Sequence, residues 1–220
     1  MMPQTLMSKV MSRLKVTLTD GIEKEVAIAE SYYDAGNFKK AFEAYCALYD
    51  SHPCEELHIQ IAWMEYAGLG TSSTPMAAIN KLRKLESPNT LRAIGLMYAR
   101  LKDYSEAKIW LEKSISFGCY NSYFSLGSVL ILIGERGEAI RVYEEGASLG
   151  MLACELRLLS KSLFQYPTKL SRIKRFFSLL KIRLKAAYIA GFKDDISPLI
   201  DLYPPRVVQR REMKRLPRHP

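Results

Sequence analysis

TLRAIGLMYARLKDYSEAKIWLEKSISFG, Thr90–Gly118, decides the fold. It reads as an apolar helix, a short polar turn at Lys102-Asp103, and a second, amphipathic helix. Gly95 is small where the first helix needs a close neighbour, and Ala107 does the same early in the second. Tyr98, Tyr104 and Leu111 are large and fill the space between. Two helices of this kind cannot bury both apolar faces by themselves, so further copies must stack on them.

The copies are present. Ala27–Pro53, AIAESYYDAGNFKKAFEAYCALYDSHP, aligns upstream, and Asn121–Gly150, NSYFSLGSVLILIGERGEAIRVYEEGASLG, follows downstream. Ala41, Ala107 and Ala139 occupy equivalent sites, 66 and 32 residues apart, close to two units and one unit of about 33. Ala29, Gly95 and Gly127 are the matching small residues of the first helices, and Tyr32, Phe38, Tyr45 and Tyr143 are the large partners. Gly36-Asn37, Asp103 and Gly134 supply turn and capping chemistry.

These residues resemble tetratricopeptide repeats, with Pro53 closing a unit. Two positions depart from the pattern: Lys102 stands where a turn glycine is usual, and Gly146 where alanine is usual. Between the first two units, His58–Asn89 has a longer turn. Its Tyr66, Gly68, Gly70 and Ala78 resemble the Sel-one-like variant, with Tyr66 one residue nearer the glycines than usual. The resemblance covers about residues 25–151. It implies an all-α fold, an α-solenoid of antiparallel helix pairs. The expected organisation is a lead-in at 1–20, four repeats over 21–151, a basic helical cap over 152–201 and a disordered basic tail at 202–220.

Charge divides the chain further. Of its 220 residues, 32 are Lys or Arg and 23 Asp or Glu, giving a net charge of +9. Residues 20–155 hold 13 basic and 19 acidic residues, whereas 156–193 hold ten basic residues and no acid. Such asymmetry points to an anionic partner for the C-terminal third. Within it, Leu170, Ile173, Phe176, Phe177, Leu180, Leu184, Ala187 and Tyr188 project onto one helical arc of about 120°. Lys174, Lys181 and Lys185 border one edge; Arg172 and Arg183 border the other, with Arg175 further round. Leu179, Ile182 and Ile189 form a second, lesser strip. The wide arc is expected either to cap the solenoid or to meet anionic lipid headgroups through those six basic residues. With Phe176 and Tyr188 on the arc expected to be buried, nucleic acid is the weaker alternative.

Chemistry is sparse. Cys46, His52, Cys54 and His58 lack the paired spacing of a closed zinc site, and the repeat register explains each without a metal. No nucleophile elbow, phosphate loop or dinucleotide fingerprint occurs. The sequence therefore points to no enzyme and no cofactor. Cysteine spacing fits a reducing, cytoplasmic compartment, with the inner face of a membrane as the alternative site. The uncharged stretch Ser114–Gly134 contains a repeat turn and five serines, so it reads as part of a repeat, not a membrane span.

The resemblance implies a concave groove lined by first helices, taking a protein or peptide. Its lining residues would be Glu30 and Tyr33, then Gln60 and Met64, then Arg92, Leu96 and Arg100, then Phe124, Ser128 and Ile131. That groove would be acidic at one end, basic past its middle and apolar at the far end.

Overall fold

The computed structural model describes residues 22–159, 176–182 and 184–185. The described residues contain helices and no strand. In chain order they are α1 (Glu23–Asp34), α2 (Phe38–Ser51), α3 (Glu55–Tyr66), α4 (Pro75–Leu82), α5 (Pro88–Arg100), α6 (Tyr104–Ser116), α7 (Ser122–Leu132), α8 (Arg136–Ser148) and α9 (Leu152–Leu158). Residues 176–182 and 184–185 are also helical. Successive helices form hairpins, and each hairpin packs on the next, so the molecule is an α-solenoid of antiparallel pairs. Within the basic cap expected over 152–201, helix is observed at 152–158, 176–182 and 184–185; the rest of the cap beyond Leu159, the lead-in and the tail lie outside the described residues.

Local chemistry starts and stops each helix. Asn37, Thr74, Ser87 and Asp103 accept hydrogen bonds from backbone N–H groups of the first turns of α2, α4, α5 and α6. At Ser87 the bond is reciprocal with Thr90, a capping box, and Pro75 and Pro88 occupy first-turn positions that need no donor. Six helix ends share one stop. The N–H of Asn37, Leu69, Asp103, Cys119, Glu135 or Met151 reaches back five residues to a carbonyl, while the preceding N–H closes a shorter loop. This double closure needs a left-handed residue. Glycine supplies it at five ends, for example Gly36 with φ 79° and Gly134 with φ 89°. Lys102 supplies it at the sixth, with φ 63°. The departure noted in the sequence is thus a strained residue in an otherwise invariant turn.

Between helices of a pair, small faces large. A Cβ on Gly95 would lie 2.7 Å from Leu111 Cγ, and one on Gly127 2.5 Å from the Tyr143 ring. Leu111 and Tyr143 are fully buried. The Tyr143 hydroxyl is satisfied by Ser128 Oγ at 3.1 Å. Gly146 has the same explanation: a Cβ there would meet Cys154 Sγ at 2.6 Å, so α9 can approach only because alanine is missing.

The interior divides into two clusters that meet at α3. Leu57 and Met64 face α1 and α2, joined by Tyr33, Tyr45 and Leu48. Ala62 and Trp63 face α4–α9, joined by Ile94, Met97, Leu111 and Tyr143. The long turn after α3 belongs to the first cluster. Leu69 is buried within it, and Gly70 lies so close to the backbone of Phe38 that a Cβ would sit 2.2 Å from the Phe38 carbonyl oxygen. The Gly-x-Gly spacing therefore folds the loop back onto the start of α2.

Left-handed backbone costs a non-glycine residue about 1–2 kcal/mol, partly offset by the greater freedom glycine loses on folding. Lys102→Gly is expected to raise the unfolding free energy by roughly 0.5–1 kcal/mol in urea denaturation. Gly127→Ala should lower it by about 1–3 kcal/mol, since the Tyr143 ring has no room to retreat.

Candidate functional site: the first-helix groove and an adjoining polar cavity

The first helices α1, α3, α5 and α7 each carry one row of residues away from their partner helices. On α5 the row is Arg92, Leu96 and Arg100, spaced four apart and so aligned along the helix. Arg92 and Leu96 are half-buried and Arg100 is exposed. The Arg100 guanidinium lies 5.0 Å from the centre of the Trp63 ring on α3. Trp63 in turn stands edge-on to Tyr66, ring centres 5.5 Å apart, and the Tyr66 hydroxyl donates to the Met97 carbonyl. A cation is thereby held over an aromatic face at the middle of the groove.

On α7, Phe124, Ser128 and Ile131 are half-buried. Phe124 leans on Tyr143, and Ser128 donates to the Phe124 carbonyl at 2.9 Å. Leu132 and Ile133, not anticipated from the sequence, add exposed apolar surface at the end of the same helix. On α1, Glu30 is half-buried, as is Gln60 on α3.

Two predicted groove residues are misassigned. Tyr33 is buried against Phe38, with ring centres 5.2 Å apart, and Met64 is fully buried. Both belong to the first core cluster, because α3 is covered on two sides and α1 turns its tyrosine towards the tip of α2. Trp63, by contrast, was overlooked as the platform beneath Arg100.

A second feature lies between α2, α3 and α4. A cavity of about 300 Å3 is lined by Cys46, Tyr49, Asp50, His58, Ile61, Ala62, Glu65 and Lys81. The Glu65 side chain is 5% exposed and pairs with Lys81 Nζ, which reaches in from the surface. Breaking such a pair from one side would strand a buried charge. His58 Nδ1 and the Tyr49 hydroxyl are hydrogen-bonded at 2.9 Å. Burial, followed by Glu65 and Asp50, pushes the Cys46 thiol up, which disfavours the thiolate a nucleophile would need. Of the other residues considered as ligands, His52 bonds to Ser51 and Cys54 precedes α3. Among the described residues, no group of three or more His, Cys, Asp or Glu is placed to hold a metal ion.

The basic residues proposed for an anionic surface divide as follows. Lys181 is exposed. Lys185 donates to Glu155 Oε1 on α9 at 2.7 Å, so it faces the solenoid and not a surface beyond it. Arg172, Lys174, Arg175 and Arg183 lie outside the described residues. Among the described residues no helix is long and apolar enough to cross a membrane.

Residues 93–117, most of α5 and α6, match the family model of the tetratricopeptide repeat. That pair is therefore similar to one tetratricopeptide repeat, and the hairpins on either side of it share its helix–turn–helix build. No curated protein matches in sequence. Among solved structures, one of MamA is 22% identical over 73% of this chain and 96% of that one, with a TM-score of 0.49. A second MamA structure is 21% identical over 78% and 94%, with a TM-score of 0.46. A Sel1 repeat protein from Oxalobacter formigenes is 19% identical over 84% and 88%, with a TM-score of 0.49.

His58 offers a test of the cavity. Burial is the main cause of its lowered pKa; the Lys81 charge acts with it and the Glu65 charge against it. A lowered folded-state pKa means that the unfolded chain takes up the proton first as pH falls. Stability from this group is therefore complete above the unfolded value and is lost between the unfolded and the folded value. The ring should titrate below its ordinary midpoint in an NMR titration. His58→Asn should lose less stability than the parent as pH falls below the ordinary histidine range, about pH 6.5.

Proposed function

We propose that this chain is a non-catalytic scaffold that holds a segment of a protein partner along the row Arg92, Leu96 and Arg100. One observation supports this above the others: the exposed Arg100 lies 5.0 Å from the ring of the buried Trp63, beside half-buried apolar side chains of α5 and α7. A cation presented on an aromatic platform, next to Leu96, Phe124 and Ile131, suits a segment that alternates acidic and apolar residues. The acidic side chain would meet the arginines, and the apolar ones would complete the half-covered floor. A helix or an extended strand can both satisfy that pattern. Glu30 and Gln60 extend the groove towards the N-terminal hairpin and give it a preference for direction.

One further observation supports a non-catalytic role. The cavity's cysteine is held away from its reactive form and its histidine is committed to Tyr49.

A photo-crosslinking residue at Leu96 is expected to form adducts with a discrete protein. The same residue at Ile109, exposed on a second helix, should not. Arg92→Glu combined with Leu96→Ala should weaken capture of that protein at least about tenfold, a loss of about 1.4 kcal/mol. Equal crosslinking from Leu96 and Ile109, or unchanged capture by the double variant, would rule the groove out.

A further inference from the structure

The C-terminal helical segment meets the solenoid through an ion pair, and its narrower apolar strip is the more buried one. Ile182 is 6% exposed, Leu179 is half-buried, and Lys185 is tied to Glu155 of α9. The wider strip faces away. Phe176, Phe177, Leu180 and Leu184 are 61%, 62%, 42% and 63% exposed. Of the two expectations for the wide arc, capping the solenoid is not met by these four residues, which are exposed. At about 100° per residue the four outward residues fall within an arc of roughly 100°, with Lys181 just beyond its edge. Among the described residues these four large apolar side chains stand exposed together, an apolar surface of the kind that marks an interaction site.

We propose that this face docks on an anionic lipid bilayer. Phe176, Phe177, Leu180 and Leu184 enter the boundary between headgroups and acyl chains, and Lys181 meets the phosphates. Charge selects the occupant. All ten charged residues between 156 and 193 are basic, so a second copy of this face would bring like charges together. An anionic bilayer meets both demands at once, apolar burial and positive charge, and does so without a shaped counterpart. Single-stranded nucleic acid would match the charge but not the apolar row. Phe176 and Phe177 pack edge to face on each other, with ring centres 5.7 Å apart and planes at 77°, and Leu180 and Leu184 offer no ring face to a base. The α9 contact gives this surface a fixed seat on the repeats, so the attachment holds the solenoid as well as the helix.

The test uses the full chain and sedimentation with two kinds of vesicle. One is phosphatidylcholine alone; the other carries about a quarter phosphatidylserine. Binding is expected to the anionic vesicles only and should weaken as salt rises. Phe176→Ser with Phe177→Ser should reduce it at least about tenfold without shifting the melting temperature, because both rings are exposed. Lys181→Glu should reduce it by a smaller factor that vanishes at high salt. Absence of binding at low salt, equal binding to neutral vesicles, or full binding by the double serine variant would each overturn the proposal. So would a dimer in sedimentation velocity, or a shift of single-stranded RNA, that the double serine variant abolishes. The groove variant Arg92→Glu with Leu96→Ala should bind vesicles like the parent, so failure of either proposal leaves the other standing.

Discussion

The contact of a bare glycine on a first helix with a large side chain on the second sets the geometry of the rest. Tyr143 rests where Gly127 has no Cβ, and Leu111 where Gly95 has none. Each pair fixes how closely two axes approach, and ridge-into-groove packing then fixes their angle. Stacked pairs inherit that angle from one another, so the rows on the first helices line up into a continuous groove. Arg100 reaches Trp63 across a helix boundary only because the two axes are held in register. A methyl group at Gly127 would therefore be felt in the shape of the groove as well as in stability.

Much of this was legible in sequence because it is local. Glycine at φ 79° or 89°, a cap three residues before its N–H donor, and alanines about one repeat apart all leave a signature within a few residues. Lys102 was visible as an irregularity, and the backbone supplies its meaning. Non-local placements were not legible. Met64 shares an apolar helix with Trp63, and only the presence of a core cluster on each side of α3 decides that one is sealed in and the other reaches the groove edge. Glu65 stands in an apolar run, IAWMEY, with nothing nearby to announce Lys81 sixteen residues on. The C-terminal helix is a third case. Both of its strips were evident, but which of them the fold leaves exposed was not. Glu155 on α9, far off in sequence, provides a counter-charge for Lys185.

The two surfaces now differ in kind. The proposed groove row combines a cation near an aromatic ring with half-buried side chains. The outward helix face is unshaped, apolar and bordered by positive charge, so it selects a class of surface more than a sequence. They sit on different elements and draw on different forces, aromatic and apolar packing in one, burial with counter-charge in the other. A chain organised this way can hold one partner while its other end is engaged.

The shared helix α3 also governs how the molecule comes apart. Its Leu57 and Met64 close one interior, and its Ala62 and Trp63 another. Among the described residues, the α1–α2 hairpin meets the remainder chiefly through α3 and the Leu69–Gly70 loop. Neighbour-only coupling of this type lets an end hairpin open without dissolving the stack. Amide protons of α1 and α2 therefore exchange through a partial opening that stops at α3, whereas those of α5–α8 wait for a larger one. The solenoid is two cooperative blocks sharing one wall, and its weakest hinge is the side of α3 that faces the N-terminus.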